Sequence, residues 1–212
     1  MQQVRTPLCK HLGIDHLIFG FAHDIATVAA ITNAGGYGAY GAYGAYGATR
    51  RFSDEIREKL ALIRSLVGEK PFGADLVLPP EMPEHNSKKA IEAEISEEHK
   101  NFVVRLIEKY QVLPASGPGM LTFFIRSSDI EEAQAQAVLE SSVNIFACGI
   151  GAPPEVLRRA KALGKTTLAL IGSLHNVQRA LADCTDTLVA QAYDARAHAG
   201  PIGTYFSGAA IS

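Results

Sequence analysis

The chain has 212 residues, of which 47% are hydrophobic and 20% charged, with a formal net charge of -2 and a pI near 6.4. That balance fits one folded domain with a sizeable core, excludes a disordered polar chain, and lacks the basic surplus by which proteins bind nucleic acid through charge. Three separated cysteines, Cys9, Cys148 and Cys184, with no CxxC spacing, argue against a disulfide framework or a structural zinc site and for a reducing cytoplasm.

The opening MQQVRTPLCKHLG carries no apolar run of the kind a signal peptide needs, and no apolar stretch is long enough to span a bilayer. Residues His16 to Phe21 read as a short buried strand, and Ile25 to Asn33 as a helix stopped by Gly35 and Gly36. Ser53 to Val67 is the clearest helix, with Ser53 as its expected N-cap and Ile56, Leu60, Ile63 and Leu66–Val67 on one face. Pro71 to Leu78 returns to strand. Residues 79 to 95, rich in Pro, Glu and Lys, read as an excursion, followed by a helix over Ser96 to Tyr110 and a Pro/Gly turn within 113 to 126.

Further along, Ser128 to Leu139 is helical and Val143 to Cys148 is a strand. A helix over Pro153 to Leu163 has Pro at its start and Gly164 after its end. Lys165 to Ile171 is a strand, Leu174 to Ala182 a helix and Thr187 to Gln191 a strand. Strands alternating with helices imply right-handed crossovers and a parallel sheet. Six strands are expected if the Tyr-rich segment supplies one, and a β/α barrel needs eight. Only nineteen residues follow Tyr193, so the expectation is an open sheet or an incomplete barrel in a single domain over 1–212.

Two patterns are discounted. Gly36, Gly38 and Gly41 spell GxGxxG, but they follow a helix, where a dinucleotide fingerprint follows a strand. Gly38 and Gly41 also sit in the repeat GAYGAYGAYG over 38–47, whose period of three matches no strand face and does not fix a register. The acidic run from Glu81 to His99 is interleaved with Lys88 and Lys89 and reads as a solvated surface, so no metal site is expected.

The informative stretch is Gln191-Ala192-Tyr193-Asp194-Ala195-Arg196-Ala197-His198-Ala199-Gly200. It directly follows a strand, at the end of the sheet where barrel active sites are built. An imidazole there can act as a general base. The stretch resembles the strand-six signature of the nitronate monooxygenase (2-nitropropane dioxygenase) family, Ala-Gln-Gly-x-Glu-Ala-Gly-Gly-His-x-Gly. Three further stretches resemble that family in the same order: Thr6 to Ile14, Asn33 to Gly38, and Pro71 to Leu76, where many members carry Asn in place of Asp75.

The resemblance implies an FMN enzyme on a TIM-type β/α barrel, here with about six of its eight βα units and ending before the last two strands. It implies oxidation of alkyl nitronates, a small-molecule substrate, with molecular oxygen reoxidising the flavin. His198 would be the catalytic histidine. Gln191 would hydrogen-bond the isoalloxazine edge, with the backbone of Ala195, Arg196 and Ala197 close to it. Phe21, Ala22 and His23 would sit against the ring, and Asp75, Cys148 and Gly149 would line neighbouring strand ends. The chain departs from the family at Arg196-Ala197, where members have Gly-Gly, and after the first strand, where the Pro-Met pair is absent. Open edges on strands one and six would favour a homo-oligomer. The alternatives are a non-catalytic remnant or half-assembly without the flavin phosphate site, and an enoyl-reductase-like flavin barrel.

Overall fold

A computed structural model describes residues 6–41, 48–79, 81–84, 87–117, 125–149, 153–183, 185–193 and 203. The chain divides into two compact units, one of residues Met1–Glu81 with Ile130–Ser212, the other of Met82–Asp129. The segment that reads as an excursion in the sequence is thus the start of the second unit.

The first unit holds six strands, β1 (Phe19–Ala22), β2 (Tyr37–Tyr40), β3 (Gly73–Val77), β4 (Ile145–Gly149), β5 (Thr166–Ile171) and β6 (Thr187–Ala190). They pair in chain order, every pair parallel, and the sheet curls into a half-barrel. Helices α2 (Ile25–Asn33), α3 (Ser53–Val67), α6 (Ser128–Glu140), α7 (Pro154–Ala162) and α8 (Leu174–Ala182) connect the strands, and a short helix α1 (Pro7–Leu12) precedes them. In the second unit, α4 (Lys88–Glu94) and α5 (Glu97–Lys109) contain no buried residue.

Local chemistry sets the helix starts. Asp24 caps α2 by accepting from the Thr27 N–H at 2.8 Å, and Ser173 caps α8 by accepting from Asn176. Helix α3 departs from the expectation. Ser53 is its first helical residue, and the preceding Phe52 has no side-chain acceptor, so Glu55 reaches back to accept from the Phe52 N–H instead. Helix α1 is six residues long, too short for a periodic signal, but Thr6 before Pro7 is a sound cap: its hydroxyl accepts from the Cys9 N–H at 3.3 Å.

Alternation along the strands sorts the side chains into two cores. On the helix side, Ala22, Tyr40, Ala74, Leu76, Phe146 and Cys148 pack with Val28, Ile56, Leu60, Ile63, Val138 and Leu157 from the helices. On the interior side, Tyr37, Ile145, Ala147 and Leu168 pack with Cys9, Leu12 and Ile14 from α1 and its following turn, flanked by Phe19, Phe21, Leu170 and Val189. Helix α1 therefore packs against interior residues near the amino-terminal ends of the strands. Room for the Tyr37 ring comes from Gly73, where a Cβ would lie 3.0 Å from that ring.

Polar groups pin the same end. Lys165 is buried and donates to the carbonyls of Ser141 (2.7 Å) and Val143 (3.0 Å), and burial lowers its pKa. Asp186, just before β6, accepts from the Thr167 N–H at 2.9 Å and hydroxyl at 2.8 Å and pairs with Lys161 at 2.7 Å. Burial alone would raise this carboxyl, but Lys161 and the two Thr167 donors outweigh it and hold the pKa below its ordinary value. A depressed carboxylate contributes stability that is present above the unfolded pKa, ~3.9, and is lost as pH falls through the folded value. Urea midpoints measured from neutral to acidic pH should fall less steeply for Asp186→Asn than for the wild type; parallel curves would show that the pair contributes nothing.

Candidate functional site

Register places the candidate residues. Ala22, Tyr40, Ala74, Phe146 and Thr167 lie side by side across five strands. All point to the helix side or continue that parity. One residue further toward the carboxyl ends stand His23, Gly41, Asp75, Ala147 and Leu168. Two residues beyond Ala147 and Leu168 stand Gly149 and Leu170, and Gln191 follows β6 with its N–H donating to the Ile171 carbonyl at 2.7 Å. Phe21, Gly41, Asp75, Gly149 and Gln191 therefore share the interior parity and the carboxyl-terminal end of the sheet, the end at which β/α barrels carry their sites.

The tightest part of this rim is centred on Gly41. A Cβ built there would lie 3.1 Å from the Phe21 ring, 3.3 Å from Asp75 Cβ and 3.5 Å from Asp75 Oδ2. Glycine thus keeps open a shallow cradle with an aromatic edge on one side and a carboxylate on the other. The Gly41 carbonyl accepts a hydrogen bond from His23 Nδ1 at 3.1 Å. Because a carbonyl only accepts, Nδ1 is the donor in this bond, and an imidazole of that tautomer has its acceptor lone pair on Nε2. Sequence reasoning missed Gly41. Its one signal was the third glycine of the discounted GxGxxG, hidden inside a repeat that supplies glycine at every third position.

Asp75 is fully buried on the interior face. Its register partner is Ala147; Cys148, opposite Leu76, is fully buried too but packs in the helix-side core. Burial pushes the Cys148 thiol far above its usual range, and the charge of Asp75 adds to that. Cys148 therefore offers the rim its backbone and no thiolate. Ala22 likewise belongs to the helix-side core, so of the segment 21–23 the side chains of Phe21 and His23 are the ones at the rim. Ala195, Arg196, Ala197 and His198 lie outside the described residues. Among the described residues no cluster of His, Cys, Asp or Glu could hold a metal ion, and no helix is long and apolar enough to cross a membrane.

Parallel strands in chain order, connecting helices on one side and a convergent carboxyl-terminal rim define the β/α-barrel class. Solved structures agree at the level of fold. FabK from Thermotoga maritima superposes with a TM-score of 0.65 at 18% identity, over 98% of this chain and 50% of that one. Nitroalkane oxidase from Streptomyces ansochromogenes superposes with a TM-score of 0.60 at 20% identity, over 91% and 50%. Within that class the chain belongs to the nitronate monooxygenase family, which it matches over residues 12–210. It is 30% identical over 210 residues to Rv1533, a Mycobacterium tuberculosis protein with a provisional monooxygenase assignment, covering 95% of this chain and 54% of that protein. The chain thus spans about half the length of the curated relative it matches.

Proposed function

We propose that this chain forms the flavin-facing part of an oxidoreductase that uses FMN and molecular oxygen to oxidise alkyl nitronates. The family match over residues 12–210 carries this reading, because it embraces both the rim around Gly41 and the stretch that ends in His198. The residues present fit an isoalloxazine, a flat group with an apolar body and a polar edge. Phe21 supplies an aromatic wall, Gly41 a surface free of side chain, and Asp75 and Gln191 polar groups on the same interior parity. No described residue is assigned to the phosphate.

FMN, when bound, supplies the electron transfer to oxygen. The protein's part is to bind, orient and move protons. Gln191 would hydrogen-bond the polar edge of the ring. His23, its Nδ1–H committed to the Gly41 carbonyl, offers Nε2 as a fixed acceptor. His198 exchanges a proton with the substrate.

Titration of the purified chain with FMN, followed by quenching of flavin fluorescence, tests the site directly. The wild type should bind, and Gly41→Val should bind at least about tenfold more weakly, a change of ~1.4 kcal/mol, with an unchanged circular dichroism spectrum. A chain that takes up no FMN would overturn the reading in favour of a barrel half without a flavin site. Equal affinity for the two proteins would move the flavin away from this rim. Flavin reduction that requires a nicotinamide donor would point to an enoyl-reductase type of chemistry instead.

A further inference from the structure

We propose that α5 is a self-association surface on which two copies of this chain pair with their α5 helices antiparallel. Phe102, Leu106 and Tyr110 recur every fourth residue and, with Val103, make an apolar stripe along the helix. No residue of α5 is buried; Phe102 is 48% exposed and Tyr110 66%. Among the described residues of its unit, no second element makes extensive contact along α5. Leu106 is half-buried, and Val104 and Ile107 beside the stripe are exposed as well, so the helix turns a broad apolar surface to water that needs a cover.

The charges around the stripe select the cover. Helix α5 carries Glu97, Glu98 and Glu108 against Lys100, Arg105 and Lys109, so its own charges cancel. A helix that binds anionic lipid or nucleic acid is basic on its polar side. Glu97 and Lys100 pair with each other at 2.7 Å. Glu98, Arg105 and Lys109, at i, i+7 and i+11, run along one border of the stripe and make no ion pair among the described residues. That border is acidic at its amino-terminal end and basic at its carboxyl-terminal end.

Antiparallel pairing about a two-fold axis lays such a border against itself, so the acidic end of each helix meets the basic end of its copy, twice per dimer. Antiparallel helix dipoles add to the same preference. A parallel two-fold arrangement would set this border against the opposite flank of the partner and leave its self-complementarity unused. The border is therefore complementary to a second copy of itself.

Sedimentation velocity of the full chain over a range of concentrations tests this. The wild type should dimerise. Glu98→Lys and Lys109→Glu should each weaken the dimer about tenfold or more, since each turns two attractive contacts into repulsive ones. The double variant should recover to within about threefold of the wild type. Both positions are exposed, so the fold should survive, which circular dichroism verifies. The proposal is overturned by a monomer at every concentration, by a dimer indifferent to the single charge reversals, or by a double variant that does not recover. A monomer whose Phe102→Asp variant melts at lower temperature also overturns it, because the stripe would then be covered by the chain itself.

Discussion

Replacing His198 with alanine should lower nitronate turnover by about 10²–10⁴-fold, the range typical of a positioned acid–base group. FMN affinity should stay within about twofold of the wild type, since the ring contacts assigned above lie at Phe21, Gly41, Asp75 and Gln191. The separation of the two readouts is the point of the experiment. A loss of turnover with retained FMN marks a group that acts on substrate, whereas a parallel loss of both would mark a residue that holds the loop or the cofactor. The pH–rate profile sharpens it: the limb that reports the ionisation of an imidazole should vanish in the variant. Normal turnover by His198→Ala would remove the histidine from the mechanism.

Gly38→Ala should destabilise the protein by about 3 kcal/mol or more, at the upper end of what overpacking costs. Gly38 lies in β2 beneath α2. A Cβ there would stand 2.3 Å from the Val28 carbonyl oxygen and 2.6 Å from Thr32 Oγ1, whose hydroxyl oxygen accepts from the Gly38 N–H. The obstacle is helix backbone, so relief requires α2 to lift off the sheet. Gly20→Ala is the control. Its Cβ would stand 2.4 Å from Ile31 Cδ1, the far end of a flexible side chain that can change rotamer. That variant should cost under about 1.5 kcal/mol. Denaturant midpoints of the two variants test the distinction, and equal losses would show that α2 yields as easily as an isoleucine tip. For a domain whose net stability is ~5–15 kcal/mol, the first substitution removes a large share.

Much of the fold is legible in the sequence because α/β units advertise their seams. The bounds of α2 and α8 coincide with those read from the sequence, since Asp24 and Ser173 are capping residues standing just before apolar periodic runs. Strand starts are less legible. The segment from His16 becomes strand only at Phe19, because the N–H groups of Asp15 and His16 both donate to the Gly35 carbonyl in a turn instead of joining a ladder. On the carboxyl-terminal rim, the positions of Phe21, Asp75 and Gln191 were readable because they sit at or near the ends of readable strands. The orientation of Cys148 could not. In a run such as Ile145 to Cys148, buried on both faces, apolar residues follow one another and no alternation says which side faces the interior. Gly41 was illegible for the opposite reason: its neighbourhood in the sequence is so regular that no single glycine stands out.

That regularity bears on how the protein can vary. The four residues of β2 read Tyr-Gly-Ala-Tyr, and sliding the chain forward by one triplet presents the same four letters again. What holds the strand in place is the short link from α2 through Gly35, at φ 88°, and Gly36. Loss or gain of a Gly-Ala-Tyr triplet by stuttering during replication would therefore leave the sheet with an unaltered strand. The whole change in length would fall between Gly41 and Ala48, making this tract a place where heredity can shorten or lengthen the chain without altering the strand that precedes it.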